Sequence, residues 1–253
     1  MSNIFNAYAS YYDLLYRDKN YKSEGRYVVS LLNQNKLFSG SMLELGCGTG
    51  KHAEVFADLG FVTHGIDSSI FMIDKANDRK SDTNIFELGD VRSFRANKKF
   101  DAVVSLFHVT SYQTENKDLL DMFRTAATHL GKDGIFIFDF WNGSAVLSQK
   151  PSKRVKKMSD TNFEVVRTAT PKLNSLQNTV NVNFDILIKS IKNNKSETIK
   201  ESHLMRYLFI PELQYFLNET GFEVLESLSW LSNDKLSVTD WQGLIVAKKI
   251  ISS

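Results

Sequence analysis

Ser41-Met42-Leu43-Glu44-Leu45-Gly46-Cys47-Gly48-Thr49-Gly50 is an apolar run with one acid inside it that empties into closely spaced glycines. Met42, Leu43 and Leu45 suit a buried strand, and Gly46, Gly48 and Gly50 let the backbone turn sharply and approach a ligand without Cβ atoms intervening. Ala53, Phe56, Ala57 and Gly60 follow at three- and four-residue spacings, which predicts a helix. Its N-terminus aims free N–H groups and a positive dipole end at whatever lies over the glycines. The stretch reads as a strand, a cofactor-binding turn and a helix start.

Downstream, the pattern repeats. Phe61 to Ile66 makes a second strand ending at Asp67, and Ser68 is expected to cap the helix that bears Ile70, Ile73 and Ala76. An acid at that strand end can accept hydrogen bonds from a ribose diol. A third strand, Asn84 to Leu88, leads into Gly89-Asp90-Val91. A fourth, Phe100 to Phe107, precedes a helix with Leu119, Leu120, Phe123, Ala126, Ala127 and Leu130, which Gly131 is expected to end. A fifth, Ile135 to Phe138, is expected to end at Asp139-Phe140-Trp141. Strand and helix alternate through residues 41 to 140, and the strands are continuously apolar. This predicts an α/β fold: a mostly parallel sheet covered by helices on both faces, with ligands at the carboxyl ends of its strands.

The flanks have a different character. Residues 1 to 33 carry Tyr8, Tyr11, Tyr12, Tyr16, Tyr21 and Tyr27, then Val28, Leu31 and Leu32 at helical spacing, and are expected to form two helices as a lid across the domain. Such rings either cover a core edge or close over a cationic ligand; Tyr16 and Tyr21, which bracket Arg17-Asp18-Lys19-Asn20, are the candidates for the lid. Residues 152 to 208 instead alternate at period two, clearest in Val180, Val182, Phe184, Ile186 and Ile188. With turns expected at Asn174-Ser175 and Asn193-Asn194-Lys195, they predict an inserted antiparallel meander over the sheet edge. Pro211 to Thr220 is a helix closed by Gly221, and strands Phe222 to Ser229 and Trp241 to Lys248 return the chain to the main sheet. No repeat or independent second domain is visible, so residues 1 to 253 read as one domain.

Composition bounds the function. A formal charge of +2 over 253 residues does not point to bulk nucleic-acid or membrane-surface binding. The sole cysteine, Cys47, cannot form an internal disulfide and reads as a small packing residue; together with an N-terminus unlike a leader peptide, it predicts a cytoplasmic protein. His52, His64 and His129 are scattered without ligand spacing, so no metal site is expected.

Glu44, Asp67 and Asp90 at or beside the ends of the first three strands, together with Gly46-x-Gly48-x-Gly50, resemble the class I S-adenosylmethionine-dependent methyltransferases. Nucleotide-binding dehydrogenases share the turn and the acid after the second strand, but Gly89-Asp90 and Glu44 separate the two. The resemblance implies a Rossmann-like methyltransferase fold with a seven-stranded sheet, and S-adenosyl-L-methionine as cofactor. By the same resemblance, Gly46 and Gly48 approach its amino-acid part, Asp67 holds the ribose hydroxyls, and Asp90 with the Val91 N–H reads the adenine edge. Glu44 orders the turn and the methionine ammonium, with Cys47, Gly50, Ser68, Gly89, Leu106 and Phe107 completing the cofactor site. A sulfonium is stabilised by aromatic faces, which gives Tyr16 and Tyr21 a use.

Tyr11-Tyr12-Asp13-Leu14-Leu15-Tyr16 with Lys19 and Tyr21, the inserted sheet, and Glu201-Ser202-His203 running into Pro211-Glu212-Leu213 narrow the resemblance. In this combination the chain looks like the nucleotide-sugar N-methyltransferases typified by the desosamine and mycaminose N,N-dimethyltransferases. That implies a small-molecule acceptor, the amine of a nucleotide-linked sugar. The chain departs from that subgroup at Phe107-His108-Val109-Thr110-Ser111-Tyr112 and Asp139-Phe140-Trp141-Asn142. His108, just past the fourth strand, is the candidate acceptor-side base or orienter. Tyr112, Asp139, Trp141, His203 and Arg206 are candidate substrate contacts, and the basic run Lys150, Lys153, Arg154, Lys156 and Lys157 either meets a sugar diphosphate or is a solvated face. Methylation of a sugar hydroxyl or a small amine, and a binding module that transfers nothing, remain the alternatives.

Overall fold

The structure is a computed structural model that describes residues 15–192 and 194–250. Helix α1 (Tyr21–Gln34) leads into β1 (Gly40–Leu45), α2 (Lys51–Asp58), β2 (Phe61–Asp67), α3 (Ile70–Asn77), β3 (Asn84–Leu88) and β4 (Phe100–Ser105). After a 3-10 turn at Thr110–Tyr112 come α4 (Asn116–His129), β5 (Leu130–Asn142) and α5 (Gly143–Gln149). The meander is β6 (Arg154–Ser159), β7 (Phe163–Asn174), β8 (Thr179–Ser190) and β9 (Ser196–Leu208), and α6 (Ile210–Glu219), β10 (Phe222–Ser229) and β11 (Gln242–Lys249) close the chain. Of the expected N-terminal helical lid, residues 1–14 lie outside the described residues.

The main sheet runs β3-β2-β1-β4-β5-β11-β10; its first five strands are parallel, and β11 is antiparallel to both of its neighbours. The order of the strands reverses between β1 and β4, so the switch point lies beside the glycine turn, where α/β sheets place their ligands. Each strand feeds two cores because side chains alternate across a sheet. Leu43, Leu45, Val103, Phe136, Phe138 and Phe140 pack against α4 and α6. Met42, Ala102, Val104, Ile135 and Ile137 pack against Val28, Leu31 and Leu32 of α1 and Phe56 of α2. Burial on both faces explains the continuous apolar runs. By the same alternation Glu44 and Asp139 share the α1 and α2 side, each in the last few residues of its strand.

Three local expectations are corrected. Ser69, not Ser68, caps α3: its Oγ accepts the Met72 N–H at 3.4 Å, and the Ser69 N–H is itself donated to Asp67 Oδ1 at 2.9 Å. Gly131 does not end α4. The helix stops at His129 and the chain turns directly into β5, because the Lys249 ammonium donates to the Ala127 and Leu130 carbonyls that a C-terminal glycine turn would otherwise serve. Asp139 lies inside β5, which pairs with β11 as far as Trp141.

β6 to β9 form the antiparallel meander, with turns at residues 175–178 and 191–195; Asn193 lies outside the described residues. Its last strand meets β5 in parallel through Trp141↔Tyr207 and Asn142↔Leu208. β11 already occupies one edge of Trp141, so β9 takes the edge that β4 leaves after pairing Ser105 with Phe138. The meander therefore begins where the parallel strands end.

Candidate active site

A cavity of 580 Å³ opens at these strand ends, within the range of about 300–1,000 Å³ usual for small-molecule sites. One wall is the loop ends of β1 to β4: Gly46, Cys47, Gly48, Asp67, Ser68, Gly89, Asp90, Val91, Leu106 and Phe107 all line it. The facing wall carries Tyr112, Trp141, Val182, Phe184, His203 and Met205, and Tyr16 and Tyr21 come in from the N-terminal side, as does His108 from the loop after β4. Glu44, Gly50, Asp139 and Arg206 stand behind the lining.

The glycines divide their work. Gly46 has φ +78°, and a Cβ there would strike Val109 at 2.5 Å; at Gly50, also +78°, it would strike Phe86 at 2.7 Å. Gly48, φ +55°, has open space on that side. Of these three glycines, Gly48 is thus the one whose backbone lies open on the side where a Cβ would stand. The Gly46 and Cys47 N–H groups both donate to the Ile66 carbonyl at 2.8 Å, and the Gly48 N–H to Asp67 Oδ2 at 3.0 Å, so the end of β2 holds the turn in place. Burial raises the Asp67 pKa, against the backbone N–H groups that lower it. Cys47 packs against Gly65, and burial with the charge of Asp67 pushes its thiol well up, so it is inert as a nucleophile.

Beneath the turn lies a buried acid–base chain. Glu24 of α1 takes an ion pair from Lys19 and a hydrogen bond from His52 Nε2 at 2.8 Å, and His52 Nδ1 stands 3.6 Å from Glu44 Oε1. Burial opposes ionisation of Glu24, but His52 and Lys19 outweigh it and hold its pKa low. Burial, then the charge of Asp67, pushes Glu44 up to about 8, with Lys19 pulling the other way. His52 is held neutral by burial. With its Nε2–H spent on Glu24, the ring turns an Nδ1 lone pair toward a protonated Glu44. Glu44 Oε2 has no hydrogen-bond partner among the described residues. A cationic head group over the turn fits these acids, beside Lys19, whose Nζ lies 4.1 Å from the Phe107 ring centroid and 4.7 Å from that of Tyr21, and Lys51, 5.2 Å from the latter.

Asp90 is engaged by Arg92, a residue the sequence reading missed. The Arg92 backbone N–H and Nε each reach Asp90 Oδ1 at 2.9 Å, Nη2 reaches Oδ2 at 2.5 Å, and Nη1 reaches Asp118 at 3.1 Å. The hydrogen bond from Arg92 keeps Asp90 below the usual carboxylate range. The i, i+2 spacing of acid and arginine was the signal available.

Leu15 and Tyr16, ahead of α1, are tied to the meander. Arg167 of β7 donates to Tyr16 Oη at 2.9 Å and lies over the Tyr16 and Phe184 rings at 5.4 and 5.0 Å. Lys156 donates to the Leu15 carbonyl at 2.7 Å, and the Tyr16 ring meets Phe107 edge-on at 4.9 Å. None of the basic residues from Lys150 to Lys157 lines the cavity.

Phe107 and His108 both have left-handed backbones, φ +66° and +67°. Each costs about 1–2 kcal/mol in a non-glycine residue and persists where the surroundings hold it. Here the holder is Asp139, wholly buried, whose two oxygens accept the His108 N–H at 2.9 and 3.1 Å and which also accepts from Gln242 Nε2 at 2.5 Å. His108 Nδ1 lies 3.1 Å from Asp139 Oδ2, off the line of a hydrogen bond. Burial opposes the charge on Asp139, yet His108 holds its pKa low.

Tyr112 and His203 meet across the facing wall, Oη to Nδ1 at 2.7 Å. The Trp141 N–H donates to Ser111 Oγ at 3.0 Å, which fixes the strand below them. Arg206 is placed elsewhere: its Nη2 bonds Glu212 Oε2 at 2.8 Å, and Glu212 Oε1 accepts the Phe209 N–H at the start of α6. Val182, Phe184 and Met205 line the wall unforeseen as site residues, although the period-two pattern had put the first two on one face.

Residues 42–134 match the model of the methyltransferase domain family. The dTDP-3-amino-3,4,6-trideoxy-alpha-D-glucopyranose N,N-dimethyltransferase of Streptomyces venezuelae is 33% identical over 136 residues, covering 53% of this chain and 57% of that relative. The chain spans about half the length of the curated dimethyltransferases it matches. An S-adenosylmethionine-dependent methyltransferase from Clostridium acetobutylicum superposes with a TM-score of 0.81 at 21% identity, covering 95% of this chain and 96% of that one. The sugar N-methyltransferase KedS8 from Streptoalloteichus does so with 0.79 at 21% identity, over 95% and 93% of the two chains, so the fold extends well beyond the matched domain. Turn, acids and sheet order agree with these likenesses: residues 42–134 match a methyltransferase domain, and the chain has the fold of the S-adenosylmethionine-dependent and sugar N-methyltransferase structures it resembles.

Proposed function

We propose that this protein methylates the amine of a nucleotide-linked amino sugar, once or twice. The reading is carried by one observation: a single cavity joins the glycine turn, Asp67 and Asp90 to a second wall made by the inserted meander. The name of the 33% identical Streptomyces venezuelae relative supports the substrate class.

When bound, S-adenosylmethionine supplies a methyl group already activated by a positive sulfur. The chain's own residues position and desolvate. Asp67 accepts the ribose hydroxyls, Asp90 and the Val91 N–H take the adenine edge, and Gly48 admits the amino-acid part. The Tyr16, Tyr21 and Phe107 rings present π faces suited to a cation. His108, oriented by Asp139, stands at the acceptor as base or orienter, and Tyr112 and Trp141 line the acceptor's side. A neutral amine needs only a partner for the proton it sheds. A hydroxyl acceptor is the second reading, favoured by the buried pair His203–Glu201, because a hydroxyl gives up its proton only to a base.

The test is mass spectrometry of isotopically labelled methyl incorporation over dTDP-, UDP- and GDP-linked amino and neutral sugars. Label on the amino sugars is expected; label on neutral sugars alone overturns the N-methylation reading. Competition by dTDP or UDP reports the nucleotide contact. An His108→Ala variant with unchanged kcat across pH removes the base role of that residue.

A further inference from the structure

Period-two alternation puts Glu201, His203 and Met205 on the same face of β9, the face that meets the cavity wall, while Ser202 and Leu204 point away. Along that face runs a continuous polar chain. Tyr112 Oη, on the 3-10 turn after β4, lies 2.7 Å from His203 Nδ1, and His203 Nε2 lies 3.2 Å from Glu201 Oε2. Tyr112 and His203 line the cavity; Glu201 is behind them. The side chains of His203 and Glu201 are 5% and 4% exposed. Glu201 Oε1 has no hydrogen-bond partner among the described residues, so His203 is the imidazole through which this buried carboxylate is satisfied.

We propose that Tyr112, His203 and Glu201 form a proton relay that carries the acceptor's proton out of the cavity when the methyl group arrives. The proposal rests on the methyl-transfer reading above. As the acceptor nitrogen gains a methyl group it becomes an ammonium, and its N–H proton passes to Tyr112 Oη. The Tyr112 hydroxyl proton passes to His203 Nδ1, and the His203 Nε2 proton to Glu201. The acceptor keeps its electron pair as a neutral amine and can accept a second methyl group. For a hydroxyl acceptor the same path removes the O–H proton during attack.

Tyr112 and His203 act on the acceptor side, and Glu201 is a positioning residue that acts through His203. Among the described residues, the groups facing Tyr112 include His203 and Glu201 on β9, Tyr16 before α1, Arg167 from β7 and Asp67 across the cavity. Burial, reinforced by Tyr16 and Glu201, raises the phenol pKa, so Tyr112 stays protonated and conducts a proton instead of serving as a phenolate base.

Two measurements test the relay in the full chain. The first is the 15N NMR titration of the His203 imidazole with S-adenosylhomocysteine bound, in wild type and Glu201→Gln; the relay requires the protonation midpoint to fall by a unit or more in the variant. The second is kcat against pH on the amino-sugar panel. Tyr112→Phe and Glu201→Gln are expected to lower kcat by at least about tenfold, the scale of general acid–base assistance, and to flatten its acid limb. Cofactor affinity by calorimetry should stay within twofold, and Glu201→Asp should restore part of the rate. Unchanged kcat profiles in both variants, or a His203 midpoint insensitive to Glu201, overturn the relay while methyl transfer stands. A wild type that binds cofactor but methylates nothing overturns the methyl-transfer reading and the relay with it.

Discussion

Asp67 reaches back across the turn to Gly48: its Oδ2 accepts the Gly48 N–H at 3.0 Å while its Oδ1 accepts the Ser69 N–H at 2.9 Å. One carboxylate thus ties the glycine turn to the start of α3, and the proposed ribose contact would fall on its remaining lone pairs. Asp67→Asn keeps one acceptor and loses the charge. Its cofactor Kd is expected to rise about 10- to 100-fold, as hydrogen bonds to a charged group are worth about 1.5–3 kcal/mol. Calorimetry reads this, and a Kd within twofold of wild type removes the ribose role.

Glu44 is expected to make cofactor binding pH-dependent. At a pKa of about 8 it holds a proton at neutral pH, and a cationic ligand head favours its ionised form. Affinity should rise with pH through about 8 and then level off, with a proton released on binding near neutrality. Calorimetry in buffers of different ionisation enthalpy detects the proton, and Glu44→Gln should abolish it. The sign for stability is opposite. A carboxyl whose pKa is raised on folding takes up a proton, so its contribution is lost as pH climbs from the ordinary carboxylate range through about 8. Melting temperature in Glu44→Gln should fall less between pH 6 and 8 than in wild type.

Two glycines separate backbone strain from ligand contact. Gly48→Ala and Gly60→Ala both place a side chain at positive φ, +55° and +91°, at about 1–2 kcal/mol each or more. Gly48 lines the cavity and a Cβ there meets nothing within 4 Å, whereas Gly60 does not line it and its Cβ has Ser39 as nearest neighbour at 3.7 Å. Both variants should melt lower, while cofactor affinity falls in Gly48→Ala alone. Equal affinities would show that the turn does not touch the ligand.

Lys249, 3% exposed, closes α4 from a strand remote in sequence. Burial, then the charge of Lys99, lowers its pKa, yet its ammonium still donates to two carbonyls at the negative end of a helix dipole. Lys249→Met should destabilise by about 1–3 kcal/mol through the loss of its charge-assisted hydrogen bonds to the two carbonyls, read by urea unfolding, with kcat unaffected. A midpoint equal to wild type would mean that solvent replaces the ammonium.

How much was legible varies residue by residue. Glycines with φ +55° to +78°, acids at strand ends and two-sided apolar strands leave local signatures, so the parallel sheet, the turn and the placing of Asp67 and Asp90 at the cavity could be read directly. The end of α4 could not. Gly131 was a sufficient local reason to stop, and the actual reason, Lys249, sits across the sheet. Arg206 had the charge and position of a substrate contact, yet Glu212 takes it for α6.

The sequence by itself determined which backbone turns and which strands are buried on both faces, because these depend on near neighbours and on a short period. It therefore determined the parallel sheet and the glycine turn of the stretch that matches a methyltransferase domain. The tertiary structure alone decided what faces the cofactor turn. β9 docks on the edge that β4 vacates, bringing Tyr112 and His203 together from positions 112 and 203 and placing Glu201 behind them. No local period records such a meeting, because it depends on how far two strands of different sheets extend past their neighbours.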